Sequence, residues 1–153
     1  MHDENSKPQA NSVVIWNPNA AANWSLIFTP AFGAYVQMLN WQRLGHPDLA
    51  AQSRRWFRIA VGMLILYIVL SFVMPDEKVA DGAARGLGLI FLFSWYFASA
   101  RSQAKYVKEK FGSQYLRQSW GKAIGIAALG MLGYFVAVVL AGVLYAFVHH
   151  LAR

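Results

Sequence analysis

Apolar residues fall into three long blocks with almost no charge and a fourth block striped with polar residues. Phe57–Met74 has no charge after Arg58, Ala83–Ala100 meets only Arg85 near its start, and Ala123–Val148 has none. As helices rising about 1.5 Å per residue, all three are long enough to span hydrocarbon about 30 Å thick. Arg85 sits near the end of its block and can snorkel to the surface. Ala123–Val148 measures about 39 Å as a helix, so it must tilt or project beyond the hydrocarbon.

Turn and cap residues divide the chain into four helices. Asn17-Pro18 reads as an N-cap with Pro at the first helical position. Gly45, with Pro47 beyond it, reads as a stop. Asp48 then caps a second helix that runs to Pro75. Asp81-Gly82 opens a third that ends at Phe111-Gly112, and Ser113 caps a fourth. The expected fold is an all-α membrane protein, a four-helix bundle of two helical hairpins. Its helices cover about residues 18–44, 48–74, 82–111 and 114–150, in one domain (17–153) behind a flexible tail (1–16).

The first helix is the ambiguous one. Trp24–Trp41 is about 27 Å long as a helix, with a Trp for each interface. Ser25, Thr29, Gly33 and Gln37 recur every fourth residue and lie along one face, opposite Phe28, Phe32, Tyr35, Val36 and Leu39. A spanning helix can turn such a stripe toward neighbouring helices, with Pro30 tolerated as a kink. The same stripe suits a helix lying flat on the membrane. Such a helix normally carries Lys or Arg on its polar face, and none precedes Arg43, which favours spanning.

Composition agrees with a membrane setting. Of 153 residues, 57% are apolar and 14% charged, where soluble domains carry about 25% charged residues. There is no Cys, which excludes a disulfide framework and a thiolate site. The first 22 residues carry Asp3 and Glu4 instead of a basic start and do not read as a secretory signal.

The net charge of +7 is concentrated. Ten of the 14 Lys and Arg residues lie in two connections: Arg43, Arg54, Arg55 and Arg58, then Arg101, Lys105, Lys108, Lys110, Arg117 and Lys122. Their position beside Trp and Tyr at block edges fits anionic headgroups and argues against nucleic acid. The positive-inside bias puts both connections in the cytoplasm. Four spans then leave both termini outside; with the first helix on the surface, three span and the N-terminus is inside. The corners "LGHPDLAAQSRRW" and "FGSQYLRQSW" share Gly, Leu, Gln-Ser and Trp at similar offsets, which raises a duplicated hairpin beside simple coincidence.

Candidate chemistry is sparse. His46 stands in a turn without a ligand cluster, and the adjacent His149-His150 point about 100° apart on a helix, so neither predicts a metal site. No catalytic or phosphate-binding motif occurs, and no cofactor is expected. The three charge-poor blocks hold no Asp, Glu or Lys, which argues against an ion-coupled pump. Small residues repeat at multiples of four: Gly121, Gly125, Gly133, Ala137 and Ala141, and earlier Gly82, Gly86, Ser94 and Ala98. They suit close helix packing inside the bundle or between copies, and internal packing is the expectation. Ser25, Thr29, Gly33 and Gln37 join Gly125, Gly133 and Ala137 as expected packing residues. Arg54, Arg55, Arg58, Lys105, Lys108, Lys110, Tyr115, Arg117 and Trp120 are the expected contacts to headgroups or a partner.

The segments "NPNAAANWSLIFTPAFGAYVQMLNWQRLG" and "KYVKEKFGSQYLRQSW" resemble a group of uncharacterised small inner-membrane proteins of Gram-negative bacteria. The resemblance covers about a third of the chain. It implies a bacterial inner-membrane location and carries no activity or functional residue with it. The expected role is non-enzymatic: an accessory, scaffold or immunity-type subunit working through helix packing on a membrane partner or its own copies. The rival is a passive channel or small-solute transporter lined by the Ser25, Thr29 and Gln37 face. A lipid-directed enzyme using His46 or His149 is a third class.

Overall fold

The computed structural model describes residues 13–74 and 77–151. Its elements are β1 (Val14–Ile15), α1 (Pro18–Phe28), α2 (Pro30–Arg43), α3 (Pro47–Val73), α4 (Glu77–Trp95), a π-helical turn (Tyr96–Ala100), α5 (Arg101–Phe111), β2 (Leu116–Arg117) and α6 (Gly121–Leu151). Among the described residues, three helical stretches are long and apolar enough to cross a membrane: α3, the continuous Lys78–Phe111 and α6.

The first helix is not one helix. Asn17 caps α1 as expected, its side chain accepting from the N–H groups of Asn19 (3.0 Å) and Ala20 (3.4 Å). The helix then stops at Thr29, which has φ +79° and ψ 157°. Pro30 causes the break, because its ring bars the preceding residue from the α region. Thr29 falls instead into a region that only Gly enters freely.

The chain reverses at that point. Trp16 and Asn40 would be about 36 Å apart along one straight helix, yet the Trp16 N–H donates to Asn40 Oδ1 at 2.9 Å. Nearer the tip, Ser25 lies against Gly33. α1 and α2 are thus an antiparallel hairpin whose arms are about 16 and 21 Å long, against about 40 Å for α3. This corrects the expected single helix over 18–44: the chain breaks at Thr29-Pro30 and folds back instead of continuing as one kinked helix. The chain is mostly helical, with three stretches apolar enough to span a membrane and a short hairpin in place of the expected first helix.

Other boundaries shift for local reasons. Gly45 (φ +76°) and Gly112 (φ +60°) end their helices as expected. His46, not Asp48, takes the cap position of α3; Pro47 starts the helix and Asp48 falls in its first turn. The third helix begins at Glu77, before Asp81-Gly82. Ser113 caps no helix, because residues 116–117 pair in parallel with 14–15 and α6 waits until Gly121. The two similar corners therefore fold differently, one into a helix and one into a strand.

The tail assignment changes as well. Residues 1–12 lie outside those described, but Ile15 (0% exposed) and Trp16 (5%) belong to the core. Ile15 packs with Val107, Phe111 and Tyr115; Trp16 packs with Ala21, Phe32, Val36 and Ala123.

Burial is lopsided. α2 is the centre, with nine buried residues. Its Ala34 meets Trp95 and Ala100, and its Met38 and Trp41 meet Ala50 of α3. α3 and α4 run antiparallel, as Trp56 touches Phe91 and Tyr67 reaches Asp81. Beyond the hairpin tip, the far halves of α3, α4 and α6 expose Ile65, Val69, Leu89, Ile90, Val139 and Leu140. Phe72 stacks on Tyr145 near the end of α3, so the last turn of α6 projects past it. Apolar surface on this scale is stable in hydrocarbon and not in water.

Candidate functional site: a closed polar core beneath a basic rim

The polar stripe of the first helix is consumed inside the protein. Gln37 Nε2 donates to the Ser99 carbonyl at 2.7 Å, and Ser99 Oγ donates back to Gln37 Oε1 at 3.1 Å. Gln103 Nε2 donates to the Gln37 carbonyl at 2.9 Å. Asn40 Nδ2 donates to Gln103 Oε1 (3.1 Å) and to the Trp16 carbonyl (2.9 Å). Gln37, Asn40, Ser99 and Gln103 are all 2% exposed or less. The Ser99 carbonyl that accepts from Gln37 lies in the π-helical turn. That carbonyl also takes a bond from Ser102 Oγ at 2.7 Å.

Ser25 and Gly33 meet across the hairpin. Ser25 Oγ donates to the Ala21 carbonyl at 2.8 Å. A Cβ added at Gly33 would strike Ser25 Oγ and come within 2.5 Å of Trp95 Cη2. The remaining space between Pro18, Gly33, Gln37, Trp95 and Gln103 is about 10 Å³, close to one water-sized sphere. Trp95 Nε1 is the one buried side-chain polar atom, among the described residues, that has no hydrogen bond. Thr29 stands apart from this network at the tip.

Two features escaped sequence reasoning. Arg43 Nη1 donates to the Val14 carbonyl (3.0 Å) and to Gln118 Oε1 (3.2 Å), while its guanidinium lies 4.5 Å over the Trp16 ring. It ties the chain before α1 to the chain before α6. The second feature joins His46 to Tyr106, with Nε2 and OH 2.6 Å apart. Lys110 Nζ donates to the same hydroxyl at 2.8 Å, and Trp41 lies against both rings. Lys110 is a donor only, so the Tyr106 oxygen accepts from it, while the direction of the Tyr106–His46 bond depends on the imidazole tautomer. The only local signal was the Tyr106/Lys110 spacing of four; partners 60 residues apart leave none.

No protein family, curated protein or solved structure matches the chain. Function is therefore read from the residues themselves.

The basic residues form a rim at the hairpin's open end. Arg54, Arg55, Arg58, Lys105, Lys108, Lys110 and Arg117 are exposed, with Lys105 and Glu109 3.8 Å apart. Tyr115 is not part of that surface: it is buried against Ile15, Val107 and Phe111, because strand pairing draws the corner inward. Trp120 is half-buried, its ring 6.4 Å from those of Trp24 and Phe32. Among the described residues no group of three or more His, Asp or Glu side chains could hold a metal ion.

The small-residue stripe of α6 is left bare, contrary to the expected internal packing. A Cβ at Gly121, Gly125, Gly130 or Gly133 would meet nothing within 4 Å, and Ala137 is exposed. Gly82 and Gly86 of α4 are equally open. Among the α6 glycines, only at Gly142 would an added Cβ meet a neighbour, Phe72, at 3.8 Å.

Proposed function

We propose that the chain is a multi-pass, non-enzymatic protein of the bacterial inner membrane that acts by packing against other membrane helices, or against its own copies, as an accessory, scaffold or immunity-type subunit. The observation that carries this reading is the open stripe on α6. Gly121 with Gly125, and Gly133 with Ala137, are small residues four apart, the spacing that lets helix backbones approach closely, and among the described residues nothing packs on Gly121, Gly125 or Gly133.

The channel reading loses support at the same residues that suggested it. Gln37 has both ends of its side-chain amide bonded, and the adjoining space admits no solute larger than water. Orientation follows from charge: the basic rim faces the cytoplasm and contacts anionic lipids. The bond between Arg43 and the Val14 carbonyl at that rim supports placing Val14 on the same side, with three spans taking the end of α6 to the other.

Because the chain has no Cys, single cysteines report sidedness cleanly. Ser113→Cys should resist a membrane-impermeant maleimide added outside the cell, and His150→Cys should react; the reverse pattern would overturn the orientation. For the role, Gly125→Leu/Gly133→Leu should abolish crosslinking to a partner or second copy while leaving the fold intact. Unchanged crosslinking would refute the packing role. Solute flux in proteoliposomes that disappears in Gln37→Leu would restore the channel.

A further inference from the structure

Beyond the hairpin tip, α3, α4 and α6 surround a cleft of about 360 Å³ to which neither α1 nor α2 contributes a residue. That volume lies within the range of about 300–1,000 Å³ usual for small-ligand sites. Leu70, Leu87 and Gly88 are among its walls, and Tyr134 of α6 adjoins it. Its polar groups lie together. Tyr67 OH donates to Asp81 Oδ1 at 3.1 Å, and Arg85 Nη2 stands 3.6 Å from Asp81 Oδ2. The second distance exceeds the roughly 2.7–2.9 Å of a charge-assisted hydrogen bond. Both charged side chains are largely open, at 81% and 53%. Among the described residues lining the cleft, the charged groups are the cation Arg85 and the anion Asp81, a helical turn apart beside an apolar slot.

We propose that this cleft binds a zwitterionic phospholipid, with an acyl chain along the leucine walls, its phosphate on Arg85 and its ammonium on Asp81. An empty apolar slot in a membrane forfeits dispersion contacts on every wall, which a lipid tail restores. The rim selects the headgroup. A purely anionic lipid would pair with Arg85 but set its charge against Asp81, whereas a headgroup bearing both charges satisfies both residues. The site is separate from the basic rim, which lies at the opposite end of α3 and attracts anionic lipid. It rests on the membrane location and not on the packing role.

The experiment is native mass spectrometry of the full chain released from nanodiscs of equimolar phosphatidylethanolamine and phosphatidylglycerol. One phosphatidylethanolamine should be retained in about fivefold preference, the factor expected of one partly exposed ion pair. Asp81→Asn should shift the preference toward phosphatidylglycerol, and Arg85→Gln should lower retention of both. Gly88→Phe should fill the cleft and abolish retention, since a Cβ there meets nothing within 4 Å. Equal retention of the two lipids, or undiminished retention in a Gly88→Phe protein with unchanged Trp fluorescence, would overturn the proposal. Should Gly88→Phe misfold, an unshifted preference in Asp81→Asn overturns it alone.

Discussion

Asn40→Leu removes a side chain that ties α2 to Trp16 and to Gln103 while nearly preserving volume. Asn40 is 0% exposed and accepts from the Trp16 N–H while donating to the Trp16 carbonyl and to Gln103 Oε1. Leucine leaves those three groups without a partner. A buried polar group so orphaned costs about 1–3 kcal/mol. Interhelical hydrogen bonds in membrane proteins average nearer 0.6 kcal/mol, because the unfolded chain in the membrane also finds partners. The Trp16 backbone sits outside any helix and close to the rim, so water can reach it after a small opening. The low end of the first range therefore applies, and the sum is about 3 kcal/mol, roughly 150-fold in the folding equilibrium. Denaturant titration in detergent micelles measures it, with proteolysis of the N-terminal segment as a second readout, since Trp16 should be released first. Ser25→Ala is the control: its hydroxyl bonds only within its own helix, to the Ala21 carbonyl, and should cost below about 1 kcal/mol. An Asn40→Leu protein within about 0.5 kcal/mol of the parent would refute the claim that the buried amides hold the hairpin closed.

Gly33→Ala should lose about 1–3 kcal/mol by overpacking against Ser25 and Trp95, read as a lowered midpoint in the same titration, and Ser25→Ala should recover part of it. Thr29→Gly should stabilise by about 1 kcal/mol, the relief of a β-branched residue from φ +79° less the extra backbone entropy of glycine; a lower midpoint would mean that Thr29 is unstrained. Arg43→Lys keeps the charge but loses the planar donor set and the stacking on Trp16. It should speed proteolysis of the N-terminal segment about two- to fivefold, in line with about 0.5–1 kcal/mol for an exposed cation–π contact, while Arg54→Lys, exposed on the rim, changes nothing.

Much of the architecture could be read along the chain. The spans of α3, α4 and α6 follow from uncharged length alone, because hydrocarbon penalises every charge wherever the neighbours sit. Asn17, Gly45 and Gly112 act as expected because capping is settled within a few residues. The lasting failure is at Thr29-Pro30. A four-residue stripe describes a straight helix, a kinked one and a folded hairpin equally well, and the choice depends on what α2 meets after the turn. Ser25, Gly33 and Gln37 were singled out as packing residues and do pack, but on a different geometry: Ser25 faces Gly33 across the hairpin instead of two turns along one helix.

The sequence by itself determined the solvent: long uncharged blocks and basic connections are local properties, and each carries its transfer free energy whatever the fold. Only the tertiary structure decided how the polar residues are spent. Asn40, Gln37, Ser99 and Gln103 become one buried network because a reversed hairpin brings residues more than 60 positions apart within 3.1 Å. Hydrogen bonds and close packing act over a few ångströms, so their partners are fixed by where the chain turns back.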